Sequence, residues 1–361
     1  RADGYGALGI AKDGGGKPAL RWWWAVGVFG GLAMLSKYNA ALVLAGAVLV
    51  AFTDPLARRA LRMPGPWIAA VIAIALFTPV IAWNAAHHWQ SFNYQGGRAT
   101  GLRLHPFAPL TIWGGEALFV LPWLWLPMVV LLVAALRRGP AERRGWVLAL
   151  LAVIPVVLFS IVGIWSSTRI LYHWATPGYL LLFPMLGDWA ARLRWRRLRN
   201  AVAVISAALL AAAALVITAE VSLSFVPHLD RMFAPGKSPL LQAVDWDSIR
   251  PEIPPGVQAI ATLRWYDAGK IGYALEGRHL PVTVFGAEPH EFADSAPPAA
   301  LLGKNVLIIA MPGNVSDILR RFAPDFDTIR PGPALTVTDH GAVLLVIPTL
   351  IGEDMKAVPK P

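Results

Sequence analysis

Residues 87–101 read HHWQSFNYQGGRATG, a polar stretch set between two runs apolar enough to lie in a membrane. A bare connector needs only a few polar residues. This one carries two histidines, the amides of Gln90, Asn93 and Gln95, a Gly96–Gly97 pair and Arg98, all beside aromatic anchors. It reads as one wall of a binding site at the end of a bundle of membrane helices.

The totals agree with that setting. The chain has 361 residues, 56% hydrophobic and 15% charged, with a mean hydropathy of +0.52. Soluble domains carry about 25% charged residues, so both figures point to a polytopic membrane protein. The net charge of +10 is unevenly spread: Glu220–Pro361 holds twelve basic and sixteen acidic residues, and the preceding part is strongly basic. A basic excess confined to the loops of an apolar region is a topology signal, and nucleic acid is not needed to explain it. With no cysteine, disulfides, thiolate nucleophiles and Cys-ligated metals are excluded.

Seven apolar segments are expected to span the membrane: Trp22–Leu35, Asn39–Phe52, Pro66–Trp83, Glu116–Leu136, Trp146–Ile164, Trp174–Ala190 and Ala201–Ala219. The first two are short for a span of about 20 residues and read as a pair meeting at SKYN (36–39). One alternating set of loops holds sixteen Lys and Arg residues, including Arg58, Arg59 and Arg62 and the run RLRWRRLR (192–199). The opposite set holds four: Lys37, Arg98, Arg103 and Arg169. The positive-inside rule places the first set in the cytoplasm. An odd number of crossings then leaves the tail outside, in the periplasm of a bacterial inner membrane. The cytoplasmic arginines are read as topology signals that contact anionic membrane lipids.

Residues 1–21 are polar and Gly-rich without the apolar core of a signal peptide, and read as a cytoplasmic loop remnant of a longer protein. Residues 22–219 form the expected transmembrane domain and 220–244 a Pro-rich linker. From 245 to 350 the β-branched runs VQAIATL (257–263), LPVTVFG (280–286), KNVLIIAM (304–311) and AVLLVIP (342–348) alternate with helix-like pieces, YDAGKIGYAL and NVSDILRRF. That alternation predicts a small periplasmic α/β domain, followed by a flexible tail at 351–361.

The outer connections concentrate the chemistry. Lys37, Arg98 and Arg169 come from three separate loops, with His87, His88, His105 and His173 and many aromatics beside them. Convergence of these loops would form a cationic, aromatic-rimmed pocket suited to an anionic lipid headgroup. Each residue also has an ordinary role. Lys37 can snorkel, Trp and Tyr at such edges are commonly interface anchors, and Gly96–Gly97 reads as a turn. His87–His88 would need a third ligand nearby to hold zinc; a divalent metal stays open, and no cofactor is assigned.

Three stretches, GLAMLSKYNAALVL, FTPVIAWNAAHHWQSFNYQGGRA and YHWATPGYLLL, resemble in that order the membrane-embedded glycosyltransferases of the protein O-mannosyltransferase-like group. These are GT-C fold enzymes that include ArnT-like and RgtA/B/C/D-like proteins. The likeness covers roughly residues 20–220, with a weaker echo in RWYDAGKIGYAL and VFGAEPHEFA. It implies transfer of a sugar from a polyprenyl-phosphate-linked donor to a lipid or glycan acceptor on the outer face. By the same resemblance Lys37 matches a lysine that contacts the donor phosphate, and the loop of His88, Gln95 and Arg98, with Arg169, Tyr172 and His173, would border the cavity. As scarce outer-side cations Arg98 and Arg169 are assigned to the same phosphate, and Tyr38 to the cavity lining.

Such transfer needs a carboxylate to take the acceptor proton. In the membrane part Asp3, Asp13, Asp54, Glu142 and Asp188 fall on the cytoplasmic side. Glu116 is expected to start a helix, where the dipole favours it without a catalytic role. The base is therefore expected upstream of this chain. Two other classes fit a cationic, lipid-facing cavity: a transporter or flippase of lipid-linked saccharides, and a non-catalytic envelope-assembly subunit. Against transport, the helices hold almost no buried charge.

Overall fold

The computed structural model describes residues 20–97, 100, 103–166, 169–223, 232–233 and 237–360. It is mostly helical, and it divides into two compact units at Ser206/Ala207.

The first unit is built of helices α1 (Leu20–Ser36), α2 (Ala40–Thr53), α3 (Pro55–Ala60), α4 (Pro64–Ala86), α5 (Gln90–Gly97), α6 (Ala108–Val120), α7 (Pro122–Arg138), α8 (Arg143–Val162) and α9 (Thr176–Ala191), with the start of α10 (Arg196–Leu223). Among the described residues four helical stretches are long and apolar enough to cross a bilayer: Pro64–Ala86, Pro122–Ala141, Arg143–Val162 and Arg196–Leu223. The chain is a multi-pass membrane protein. α1, α2 and α9 are also apolar but run 17, 14 and 16 residues.

Between apolar helices in lipid no hydrophobic difference drives association, so small residues that let backbones approach do much of the packing. Gly27 and Gly31 of α1 lie against Ala69, Ala73 and Leu76 of α4. Gly46 of α2 meets the Leu150 carbonyl of α8, and Gly178 of α9 meets Ala152 and Pro155. A core of Met128, Leu132, Ala149, Ala152, Val156, Tyr179 and Leu182 joins α7, α8 and α9. At the arginine-rich ends, buried Asp54 accepts from the Leu56 and Ala57 N–H groups and caps α3. Arg143 Nε donates to its other oxygen at 2.6 Å.

Three expectations are corrected here. The span expected at Glu116–Leu136 is two helices broken at Leu121, whose φ is +80°. Pro122 disfavours a helical residue before it and lacks the N–H a continuous helix needs. Glu116 therefore sits within α6, not at a helix start. The 87–101 connection contains a helix, α5, and Gly96–Gly97 form its end, not a free turn.

In the second unit, α10 ends at Leu223 and a short helix, α11 (Leu240–Ala243), precedes the sheet domain. The chain continues through β1 (Ala259–Thr262), α12 (Trp265–Ala274), β2 (Val282–Val284), α13 (Phe292–Ser295), β3 (Val306–Ile309), α14 (Val315–Phe322), β4 (Phe326–Pro331), β5 (Leu335–Asp339), β6 (Ala342–Ile347) and β7 (Thr349–Met355). Five strands form one sheet in the order β2-β1-β3-β7-β4, with β1 parallel to β2 and β3, and β7 antiparallel to β3 and β4; β5 and β6 pair as a hairpin. Alternation along β1 sends Ile260 to a core with α12 and the hairpin, and Ala259 and Ala261 to a core with α14. Of the tail expected to be flexible from 351, residues 351–355 belong to β7, inside the sheet. Its Gly352 accepts the Phe326 ring, which a side chain there would displace.

Candidate functional site

The helix ends opposite the arginine-rich loops carry the candidate site. α4 ends in the HHW turn, where His88 and Trp89 both have positive φ (54° and 59°), a costly state for non-glycine residues. Buried Asn84 holds the turn in place: its carbonyl accepts from the Trp89 N–H at 2.7 Å and its side chain from the Ser91 N–H at 3.1 Å. His87 stacks on Trp83 at 4.2 Å, and Asn93 donates to the His88 carbonyl. The polar cluster of 87–97 thus fastens a strained turn and a short helix.

The SKYN turn is tied to the later loop. Asn39 donates to the Trp174 carbonyl at 3.4 Å. Desolvation and, secondly, the positive charge of Lys37 hold the His173 imidazole below its ordinary range. Tyr38 packs edge-on between Phe77 and Phe92, at 6.0 and 5.5 Å, so it joins α4 to α5.

A cavity of about 600 Å³ opens beside these ends, lined by Arg103, His105, Phe107, Thr111, Ile112, Ser166, Arg169 and Tyr172 among others. The His105 N–H donates to the Ile164 carbonyl at 2.6 Å, drawing the 103–107 segment onto the end of α8. Gly115 leaves room for the Tyr172 ring: a methyl group there would lie 2.6 Å from Tyr172 Cδ1. The next residue of α6, Glu116, is buried. Tyr179 donates to its Oε2 at 2.7 Å, and Trp125 donates to the Tyr179 hydroxyl at 2.8 Å.

Of the expected site residues, Arg169 and Tyr172 line the cavity. Lys37 and His173 form a neighbouring pair, and Tyr38, His88 and Gln95 do not line it. Arg98 lies outside the described residues. Arg103, His105 and Ser166 line the cavity without having been assigned; the outer-loop arginine and the His-Pro pair were the available signals. The cavity's described lining includes no carboxylate, so the chemistry its charges offer is retention of an anion by two guanidiniums. Among the described residues no group of three or more His, Asp or Glu comes together to hold a metal ion.

No curated protein sequence matches this chain. A crystal structure of ArnT from Cupriavidus metallidurans bound to undecaprenyl phosphate is similar at 16% identity, over 95% of this chain and 71% of that chain, with a TM-score of 0.44. In sequence, residues 14–83 match the family of dolichyl-phosphate-mannose-protein mannosyltransferases, and over that segment, which contains the SKYN turn, the resemblance read from the motifs is upheld.

Proposed function

We propose that this protein is an integral-membrane glycosyltransferase that takes a sugar from a polyprenyl-phosphate carrier and passes it to a lipid or cell-envelope glycan. In this reading the chain crosses a bacterial inner membrane seven times, with α1, α2 and α9 as short or tilted spans, and the sheet domain is periplasmic. The single observation that carries it is the cavity holding Arg103, His105, Arg169 and Tyr172 at the ends of apolar helices. A phosphate entering from the bilayer would meet two guanidiniums there while its lipid tail remains among apolar helices. The match of residues 14–83 to a family whose donor is a lipid-phosphate-linked sugar supports the same substrate class. Lys37 and Arg98 are assigned to the same phosphate, and His88, Gln95 and His173 to the rim around the sugar.

The test is carrier binding. Undecaprenyl phosphate titrated into the protein in zwitterionic nanodiscs should be retained, and Arg169→Ala and Arg103→Ala should each weaken it. One charged hydrogen bond is worth about 1.5–3 kcal/mol, or on the order of ten- to a hundredfold in affinity. Retention of the lipid with unchanged affinity in both variants would overturn the assignment. Movement of a lipid-linked saccharide across a vesicle membrane, without transfer, would favour a flippase.

A further inference from the structure

The sheet domain carries an exposed aromatic corner that carrier binding does not use. Trp265 and Tyr266 open α12 and are 41% and 42% exposed. Their rings meet edge to face, 5.7 Å apart at 87°. His290, on the loop after β2, brings its ring 4.8 Å from Trp265, on a backbone with φ of +51°. Arg264 lays its guanidinium 4.7 Å over the Tyr266 ring, while its Nε donates to buried Asp267 at 2.6 Å. The corner stands at the carboxyl ends of two parallel strands, because the Phe285 N–H donates to the Thr262 carbonyl at 2.8 Å and Gly286 packs on the Leu263 carbonyl.

A second observation lies on the same helix. Trp265, Gly269 and Tyr273 follow at four-residue spacing and so share one face, with Tyr273 62% exposed. Glycine within a helix is unfavourable relative to alanine. Yet a Cβ at Gly269 or at Gly272 would meet nothing within 4 Å, so the fold itself has no packing need for either. The face consequently has rings at both ends, about 12 Å apart along the axis at 1.5 Å per residue, and bare backbone between them. A flat molecule can lie directly on it.

Charge selects the occupant. Arg264 is neutralised by Asp267, and Glu288, Glu291 and Asp294 are exposed around the His290 loop. A phosphate, a nucleic acid or an anionic bilayer would meet net repulsion there. A neutral sugar meets none: its C–H faces stack on the amphipathic rings, and its hydroxyls find the Tyr266 hydroxyl and the Arg264 guanidinium.

We propose that the exposed face of α12, with His290, is a platform for a neutral saccharide, the glycan portion of the acceptor. Its role as acceptor site rests on the glycosyltransferase reading; the binding itself does not. The full chain in zwitterionic nanodiscs is applied to a printed array of neutral and acidic bacterial-envelope oligosaccharides, and the best neutral binder is titrated by calorimetry. Trp265→Ala should weaken that binding at least tenfold. Gly269→Ala should also weaken it, although alanine favours the helix, so misfolding cannot produce the loss. Absence of any retained neutral glycan, or affinity in both variants equal to that of the unsubstituted chain, overturns the proposal. So does Trp265-dependent binding of phosphatidylglycerol vesicles, or Trp265-dependent self-association, without glycan binding. Undecaprenyl phosphate is titrated in parallel on the unsubstituted chain. Glycan binding without carrier binding would end the transferase reading and leave the platform standing; the reverse would end the platform alone.

Discussion

The Tyr179 hydroxyl donates to Glu116 Oε2 at 2.7 Å across 63 residues of sequence, and with Trp125 it ties α6, α7 and α9 together at a buried point. Interhelical hydrogen bonds in membrane proteins contribute about 1–2 kcal/mol or less. Glu116→Ala removes the acceptor and leaves the hydroxyl stranded, so it should lower stability by about that amount or somewhat more. Glu116→Gln keeps an acceptor oxygen in the same place and should be nearly neutral. Thermal unfolding in detergent separates the two; a large loss in the Gln variant would mean that the charge itself is needed.

Gly115 is one residue before that bond and seats the Tyr172 ring. Gly115→Ala drives a methyl group into the ring, and overpacking of this kind typically costs about 1–3 kcal/mol. Because Tyr172 lines the cavity, undecaprenyl phosphate affinity should fall several-fold. Gly114 has open space at its Cβ position, so Gly114→Ala should keep the affinity and stabilise the helix by up to about 1 kcal/mol. Equal affinities in the two variants would disconnect Tyr172 from binding.

Asp54 gives a pH-dependent prediction at the opposite helix ends. Burial pushes its carboxyl up, but the Arg143 hydrogen bond and charge and the Ala57 and Leu56 N–H groups outweigh it, and the net shift is downward. A depressed carboxylate contributes stability that is full above its ordinary range and is lost as pH falls through the folded value. Removing one partner of a buried pair costs about 3–5 kcal/mol, so Arg143→Met should be destabilised by that order at pH 7. With the arginine gone, burial opposes ionisation more nearly alone, and acidification through the carboxylate range should narrow the gap to wild type. A gap that is constant with pH would show that packing, not charge, is lost.

What could be read from the sequence depended on range. The long helices were legible because their apolar runs are uninterrupted and their basic loops alternate. α3 was not, since PLARRA is too short to show a period and is set by the Asp54 cap. Pro122 marked the α6–α7 break, yet apolar residues on both sides of it hid the change of direction. β7 was missed because TLIGEDM mixes Gly and acids. Its Glu353 faces out to pair with Arg330, and Gly352 is required by the Phe326 ring. At the site, Arg169 and Tyr172 stood out locally. Arg103 and His105 reach the same cavity through the His105–Ile164 hydrogen bond, which joins residues far apart in the chain.

Lys37 and His173 supply the last prediction. His173 titrates below the ordinary imidazole range because of desolvation and, next, the Lys37 charge, so at neutral pH Lys37 is the cation of the pair. A polyprenyl-phosphate-linked sugar is a phosphodiester, whose single negative charge is constant over this range, so changes in its affinity report on the protein. As pH falls below the usual imidazole range, His173 gains a proton and the pair presents two positive charges. Donor affinity should therefore rise with acidification, and by linkage bound donor should make His173 easier to protonate. Folding stability moves the other way, since a depressed histidine is more readily protonated in the unfolded chain. Lys37→Met removes the second cause and leaves the first. Donor binding should weaken at neutral pH, on the order of ten- to a hundredfold if a charged hydrogen bond is lost, and its rise on acidification should begin at a higher pH than in wild type. Affinity that is flat with pH in both proteins would place the phosphate away from this pair and leave it to Arg103 and Arg169.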